Sequence, residues 1–343
     1  MSTRVEPAAP LGVPVEAAEP QEAVEARGFW SLAYARFKRD KLAVISFGFI
    51  ILLFLSAFAG GPIAAHFLGH GSNDIFPVNG ITHPSSIPKG PWSWIGTYPD
   101  TGIHGRTLFL LGASDGNGHD MLLRLLYGAQ TSLEVGVIST FFSVSLGVVM
   151  GLLAGYFRGW VDTVVSRLIE ITMVFPGLLL IIGIDIVAGP TLDGITLGFL
   201  QHGVFTLVLI FSIFGWFYPA RIMRGVILSL REKEFVEAAR MTGASDYRIM
   251  RSHLLPHLVA PIIVYSSILV AGNILGEAGL SFIGLGIHIP TASWGNLLAQ
   301  APYYYRDQIW IVLLPGIAIL FTTIAFNLLG DGLRDAFDPR SQI

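Results

Sequence analysis

The chain has no cysteine and few charged residues for its length. The absence of Cys among 343 residues excludes disulfides and thiolate chemistry. Charged residues make up 13% of the chain, whereas soluble domains carry about 25%. Hydrophobic residues make up 52%, in runs close to the roughly 20 residues that cross a bilayer as one helix. The composition therefore predicts a polytopic helical membrane protein rather than a soluble domain.

Several functional motifs are also missing. No G-x-x-x-x-G-K-[ST] phosphate loop occurs, so we expect the chain not to hydrolyse ATP itself. The nine histidines show no H-E-x-x-H spacing, and we expect neither a metal nor a cofactor in this chain. The chain has no basic stripe of the kind that would indicate a nucleic-acid partner. A membrane-embedded enzyme would need a cluster of catalytic polar residues at one depth, and we predict none, so the chain is not expected to be an enzyme.

Apolar runs predict an all-α fold with six transmembrane helices. The predicted spans are residues 42–67, 130–156, 163–188, 204–223, 258–284 and 309–330. Lys and Arg set the orientation of such helices, because they collect on the cytoplasmic side. If the N-terminus is cytoplasmic, most basic residues stay on that side, including the cluster Arg36, Lys38, Arg39 and Lys41. Both termini are therefore predicted to be cytoplasmic.

Composition divides the chain into five predicted regions. The first is rich in Pro, Ala and Glu and cannot bury much apolar area, so it is predicted to be disordered. The regions are a cytoplasmic tail (1–28), a basic cluster with the first transmembrane helix (29–68), an extracytoplasmic loop (69–129), a five-helix core (130–330) and a cytoplasmic C-terminal tail (331–343).

Charged residues return in one stretch of the core, residues 225–257, which we call the charged insert. Its Ala, Glu, Arg and Met residues favour a helix from Glu234 to Gly243, where glycine accepts the left-handed conformation that ends a helix. Ser245 is predicted to cap a second helix running to about His253. Pro256 is predicted to set the turn back into the membrane.

Two small neighbours in the first of these helices, Ala238 and Ala239, would let it dock closely into a groove of another protein. Glu237 could reach basic or backbone donors in such a groove. The alternative is an ordinary solvated loop between two membrane helices. The residues alone leave both interpretations open.

Four motifs, in order along the chain, resemble those of one transporter family. In the charged insert, Glu237-Ala238-Ala239, then Gly243 and Leu255-Pro256, are similar to the EAA loop of permease subunits of bacterial ABC importers. Three further motifs resemble those of the dipeptide/oligopeptide branch. They are D-G-N-G-H-D at 115–120 with R-L-L-Y-G-A at 124–129, E-A-G-L-S-F-I-G-L-G at 277–286, and G-D-G-L-R-D-A-F-D-P-R at 330–340. His119 stands where that branch usually has Arg.

The resemblance implies the type I ABC importer permease fold in a bacterial inner membrane. It implies as partners a homologous second permease subunit, two ATPase subunits that bind ATP and Mg, an extracytoplasmic substrate-binding protein and membrane lipid. The implied cargo is short peptides, with nickel, glutathione, murein peptides or oligosaccharides as alternatives. The implied ATPase-coupling residues are Glu234, Glu237, Ala238, Ala239, Gly243, Leu255 and Pro256.

Carboxylates within apolar stretches leave another function open. Glu277, with Ser281 and Phe282, could line or gate a translocation path, because an ionised carboxylate is costly in a membrane. It could instead be a paired or hydrated group at the outer interface. Arg167 and Glu170, three residues apart on a helix, are predicted to pair. Such carboxylates would also suit a proton-coupled secondary transporter, but that alternative leaves the charged insert unexplained.

Overall fold

The computed structural model describes residues 29–76, 87–95, 107–174, 177, 179, 181–184, 186–187, 191 and 203–337. The predicted tail 1–28 lies outside these residues, as does the end of the chain from 338. The described part is almost entirely helical, in agreement with the predicted all-α class.

The helices are α1 (Phe29–Arg39), α2 (Lys41–Leu55), α3 (Gly61–Leu68), α4 (Met121–Phe157), α5 (Gly159–Val174), α6 (Val204–Gly215), α7 (Phe217–Leu230), α8 (Glu234–Met241), α9 (Asp246–Arg248), α10 (Leu255–Phe282), α11 (Trp294–Ala299), α12 (Ala301–Tyr304) and α13 (Trp310–Phe337). Two wider, π-helical segments join neighbouring helices, namely Ser56–Gly60 and Ile249–Leu254. Strands β1 (Ser93–Ile95) and β2 (Thr107–Phe109) form a small antiparallel pair.

Five continuous helical stretches among the described residues are long and apolar enough to cross a membrane. They are Lys41–Leu68, Met121–Phe157, Val204–Leu230, Asp246–Phe282 and Trp310–Phe337. The other predicted span, 163–188, begins within α5 and continues into residues that are described only in part. The polytopic helical fold is confirmed, and the count of six spans stays a prediction.

Helix ends differ from the predicted spans where cap chemistry, rather than hydropathy, decides them. Helix α4 begins at Met121, so its first turns lie within the predicted loop 69–129. The Asp120 carboxylate caps this helix, accepting hydrogen bonds from the backbone N–H of Leu122 (2.8 Å) and Leu123 (3.3 Å). The apolar run reports only the part of a helix that lies in lipid. At the other end of the chain, α13 likewise continues to Phe337, into the predicted C-terminal tail.

Helix α4 is the central element of the fold and packs against α6, α7 and α10. Gly147, Gly151 and Gly155 recur every four residues on the face that meets α7. A Cβ added at Gly151 would lie only 2.6 Å from the carbonyl oxygen of Ala220. Small residues at this spacing allow close helix pairs in membranes. The pair therefore forms a closely packed unit, and the C-terminal ends of both helices lie at the charged insert.

Candidate functional site

The first half of the charged insert forms the predicted helix and turn. Helix α8 covers the predicted segment, and Gly243 follows it with a left-handed φ of +79°. The Gly243 N–H donates to the Arg240 carbonyl (2.9 Å), and the Ala244 N–H donates to the Ala239 carbonyl (3.0 Å). This pair of bonds is a Schellman turn. The Ser245 hydroxyl then caps α9 by accepting from the Arg248 N–H (3.4 Å).

In the second half of the charged insert the predicted turn at Pro256 is wrong, because no turn occurs there. Helix α9, the π-helical segment and α10 form one continuous helix, Asp246–Phe282. Leu255 has helical dihedral angles, and its N–H donates to the Met250 carbonyl five residues back. Pro256 lies at the junction between the π-helical segment and α10, where the hydrogen-bond pattern of the helix changes. The charged insert therefore runs directly into a membrane span.

Helix α8 presents one stripe of side chains to solvent. Glu234, Glu237, Ala238 and Met241 are exposed, and their spacing of three and four residues places them on one helix face. Met241, which lies outside the five long apolar stretches, is 84% exposed. Sequence reasoning missed Met241, although the same spacing from Glu237 and Ala238 could have found it. Such a stripe, polar at one end and apolar at the other, suits contact with another protein.

The two alanines of the predicted docking face lie on different sides of α8. Ala238 is exposed, whereas Ala239 is buried together with Val236. The buried pair packs in a cluster with the start of the continuous helix and with α4 and α7. Its other buried members are Val144, Val148, Tyr156, Met223, Ile227, Ile249, Leu254 and Leu258. Ala239 therefore attaches α8 to its own chain, and Ala238 remains available to a partner.

The remaining predicted coupling residues lie at the ends of the insert's helices. Gly243 and Pro256 are exposed, and Leu255 is half-buried against the same cluster. The ring of Phe235 on α8 lies 5.3 Å, centre to centre, from the ring of His257 on α10. This contact places α8 beside the start of α10. The assigned residues thus share one compact region, with different roles in its shape and surface.

Tyr156, near the end of α4, is the polar centre beneath the insert and is only 4% exposed. Its hydroxyl donates to the Asp246 carboxylate (2.5 Å), and its ring lies under the guanidinium groups of Arg240 (5.5 Å) and Arg231 (5.9 Å). Arg231 also donates to the Tyr156 carbonyl. Sequence reasoning missed this residue, because nothing in its local pattern relates it to positions 75 to 90 residues away.

Glu277 lies in a buried polar node between α4, α10 and α11, with no exposed surface. Its carboxylate accepts hydrogen bonds from the hydroxyls of Ser132 (2.7 Å) and Ser281 (2.7 Å). The Ser132 oxygen in turn accepts from the backbone N–H of Trp294 (3.3 Å). The structure thus brings Glu277 and Ser281 together, while Phe282 is 45% exposed at the end of α10. Their predicted role in a gate stays a prediction.

A cavity of about 320 Å³ lies beside this node, between α5, α6 and α10. Its described lining residues are Thr172, Met173, Gly177, Ile181, Phe211, Phe214, Gly215, Phe217, Asn273, Gly276 and Leu280. The Asn273 amide on this wall donates to the Thr140 hydroxyl of α4 (3.0 Å). Glu277 is not among the described lining residues and lies behind the same helix wall. The cavity is a candidate for part of a translocation path.

The comparison with family models decides the family. Residues 147–343 match the family described as binding-protein-dependent transport system inner membrane component. The chain belongs to this family. Residues 28–74 of the transport component match a second model, the N-terminal transmembrane domain of oligopeptide transport permease C. The first match includes the charged insert, Glu277 and the cavity walls formed by α5, α6 and α10.

Relatives of this transport component are permeases named for different substrates. It is 33% identical over 341 residues to a dipeptide transport system permease protein, DppC, of Alkalihalophilus pseudofirmus, covering 98% of this chain and 99% of the relative. It is 33% identical over 312 residues to the oligopeptide permease OppC of Mycobacterium tuberculosis, covering 91% and 95%. It is also 33% identical over 313 residues to the glutathione permease GsiD of Pectobacterium atrosepticum, covering 91% of each chain.

A solved structure shares the fold. The transport component matches a chain of the inward-facing MetNI methionine ABC transporter with a TM-score of 0.52 and 19% sequence identity. The match covers 64% of this chain and 98% of that chain. It confirms the predicted fold of an ABC importer's membrane component.

The D-G-N-G-H-D motif of the transport component forms a compact turn before α4. The Asp115 carboxylate accepts from the N–H groups of Asn117, Gly118 and His119, and its other oxygen lies 2.7 Å from the His119 ring. Asp120, the cap of α4, lies 2.9 Å from the ring of the buried His70. The motif therefore fixes the N-terminal end of the central helix.

The same turn contains Gly112–Gly116, which has the G-x-S-x-G spacing of a hydrolase nucleophile. Its Ser114 is only 1% exposed, and its hydroxyl donates to the His119 carbonyl (3.4 Å). The nucleophile of that motif stands exposed on a sharp strand-to-helix turn. The surroundings of Ser114 therefore do not favour catalysis.

Asp115 should make the stability of this turn depend on pH. Burial alone raises the pKa of its carboxyl, but the neighbouring His119 and Arg124 outweigh burial, so the pKa of Asp115 lies below its ordinary value. The resulting stabilisation is present at neutral pH and is lost as the pH falls through the folded-state pKa. We expect Asp115→Asn to lower the melting temperature at neutral pH, and the difference from the wild type to shrink as the pH falls below about 4, the ordinary value for an Asp carboxyl. Thermal unfolding across this range checks it, and a pH-independent difference would contradict it.

Proposed function

We propose that the chain is a permease subunit of an ATP-driven importer for short peptides. The observation that carries this proposal is the exposed stripe of α8. Helix α8 itself packs against the start of the continuous helix, and the same continuous helix forms one wall of the cavity. A soluble partner bound to the stripe would thus act on the translocation path through a few rigid elements. Relatives named as dipeptide and oligopeptide permeases support the choice of cargo.

In the proposed mechanism, ATP hydrolysis takes place in two partner ATPase subunits, which bind ATP and Mg. One of them docks on Glu234, Glu237, Ala238 and Met241, which form the exposed face of α8. Closure of the ATPases moves α8, and the rigid elements attached to it rock as one body. Gly243 sets the angle between α8 and the continuous helix, and Leu255 and Pro256 lie within that helix.

The translocation path needs a second, homologous permease, because the cavity of this chain is open on one side. We place Asn273, Gly276 and Leu280 on its wall. Glu277 and Ser281 hold that wall from behind, through Ser132. Phe282, exposed at the end of the same helix, is the residue of this set that suits a gate.

The membrane assignment follows from charge. Placing the charged insert in the cytoplasm, where ATPases reside, puts both termini there and leaves β1, β2 and the Asp115 turn outside. A substrate-binding protein would then meet the outer side. Exposed aromatic residues on that side, such as Trp92 and Trp94, suit the headgroup region of lipid. The resulting location is the bacterial inner membrane.

Uptake by the complete importer in proteoliposomes tests the proposal. We expect a labelled dipeptide to accumulate only with ATP and the binding protein, and uptake to continue when an uncoupler collapses the proton gradient. Uptake that needs no ATP and stops with the uncoupler would contradict the proposal and favour the secondary transporter. The measurement is labelled peptide retained per unit of permease.

Competition defines the cargo further. The glutathione relative is as similar as the dipeptide and oligopeptide relatives, and glutathione is itself a tripeptide. Excess unlabelled dipeptides, longer peptides and glutathione should reduce uptake of the labelled dipeptide to different extents, whereas nickel or an oligosaccharide should not. Inhibition by nickel or an oligosaccharide alone would overturn the peptide assignment and leave the ATP-driven mechanism intact.

A further inference from the structure

We propose that Tyr156 is the positioning residue through which movement of the charged insert reaches the central helix α4. This inference rests on the proposed function and adds a role that the EAA pattern does not contain. Tyr156 is the last residue but one of α4 and is almost completely buried. Its ring therefore moves with the helix, and any group held by the ring is held by α4.

Three consecutive parts of the insert meet at this one side chain. Arg231, just after α7, lies over the ring and donates to the backbone carbonyl. Arg240, in the last turn of α8, lies over the ring at 5.5 Å. Asp246, at the start of the continuous helix, accepts from the hydroxyl at 2.5 Å. Tyr156 therefore connects the segments before, within and after the proposed docking helix to one point on α4.

These polar contacts differ in kind from the apolar contacts around them. The side chains of Val236 and Ala239 pack in the cluster beneath α8, but such packing is non-directional, and apolar surfaces can slide. A hydrogen bond to a carboxylate weakens steeply when its length or angle changes. The Tyr156–Asp246 bond thus resists sliding of the insert across the end of α4, so a displacement of α8 is passed to α4 rather than absorbed.

Helix α4 carries the displacement to the far side of the bundle. With 37 residues it is about 55 Å long at 1.5 Å per residue. Toward its other end, the Ser132 hydroxyl donates to Glu277 of α10, and the indole N–H of Trp294 donates to the carbonyl of Leu125. A movement imposed at Tyr156 therefore reaches the node behind the cavity wall through one continuous element.

The test is Tyr156→Phe in the complete importer, with ATP hydrolysis and uptake measured on the same proteoliposomes. The substitution keeps the ring and removes the hydroxyl. We expect basal ATP hydrolysis to be retained and labelled dipeptide transported per ATP to fall by about tenfold, the scale of one charge-assisted hydrogen bond. Stimulation of ATP hydrolysis by the binding protein, which does not depend on the cargo chosen, should fall with it.

Two further variants separate positioning from simple stability. Asp246→Asn keeps an acceptor for the hydroxyl and should retain most of the coupling, whereas Asp246→Leu should reproduce the Tyr156→Phe defect. Combining Tyr156→Phe with Asp246→Leu should then add little, because both remove the same bond. Tyr265→Phe is the matched control, since Tyr265 packs against the same cluster but lines a separate cavity with Arg334.

Normal coupling in Tyr156→Phe and Asp246→Leu would overturn the positioning role. So would losses of transport that merely follow loss of folded complex, measured by co-purification of the subunits. A wild-type importer that fails to take up peptide contradicts the proposed cargo instead, and the binding-protein stimulation of ATP hydrolysis still reports on Tyr156. The two failures are therefore distinguishable.

Discussion

An Ala238→Phe substitution is expected to release the ATPase subunits from the complex without destabilising the permease. Ala238 lies in the exposed stripe of α8, where a small side chain allows close docking and a phenyl ring would hold two surfaces apart. Exposed substitutions usually change stability by no more than about 0.5 kcal/mol. Separating the two surfaces removes central contacts of the interface, whose loss commonly costs about 2 kcal/mol. We therefore expect co-purified ATPase to fall by about tenfold or more and ATP-driven uptake to be lost.

The neighbouring Ala239→Phe is the matched control, because it adds the same side chain on the buried face. Ala239 is 8% exposed and packs in the cluster with Val236 and Tyr156. Overpacking of a core costs about 1–3 kcal/mol, so this variant should lower the melting temperature of the permease itself. Thermal unfolding and co-purification of both variants check the pair. Equal effects of the two substitutions on both readouts would contradict the assignment of one exposed and one buried alanine.

A Glu277→Leu substitution is expected to destabilise the permease strongly. It leaves the hydroxyls of Ser132 and Ser281 without the acceptor they bond at 2.7 Å in a fully buried site. Each buried polar group left unsatisfied costs about 1–3 kcal/mol, so the loss should be about 3 kcal/mol. Glu277→Gln keeps an acceptor and similar volume and should retain most of the stability. Thermal unfolding in detergent measures both losses.

The half-buried Glu134 supplies the control for this prediction. Its carboxylate accepts from the Gln130 amide at 2.9 Å within α4 and retains partial exposure, so Glu134→Leu should cost less than Glu277→Leu. If Glu277→Leu were as stable as the wild type but blocked uptake, the supporting role proposed for Glu277 would be wrong, and a direct role in the path would be favoured.

The spans and the motif positions were predictable from sequence because each depends on nearby residues. Long apolar runs, the cluster of charges and the helix-ending Gly243 are local signals, and helix α8 and its turn follow from them. The predicted Arg167–Glu170 pair is confirmed for the same reason, with a nitrogen–oxygen distance of 2.5 Å. Both of its partners are exposed, so it contributes little to stability.

Features that depend on the rest of the fold were beyond sequence reasoning. Pro256 alone predicts a helix break, and only the π-helical segment before it shows that the helix continues through this position. Ala238 and Ala239 are chemically identical, and only packing against α4 and α7 decides which one is buried. Tyr156 gains its partners from residues 75 to 90 positions later in the chain. These outcomes need three-dimensional neighbours, which hydropathy and helix propensity do not encode.

The glycine face of α4 has a consequence for the order of synthesis. Its complement, α7, begins 60 residues after α4 ends, from Phe157 to Phe217. At about 5–20 residues per second, the ribosome needs roughly 3–12 s to supply it. During that interval the newly made α4 stands in lipid with a groove that nothing in the nascent chain yet fills. The time at which this face closes is therefore set by translation, and slowing the ribosome within this stretch would prolong the unpaired state.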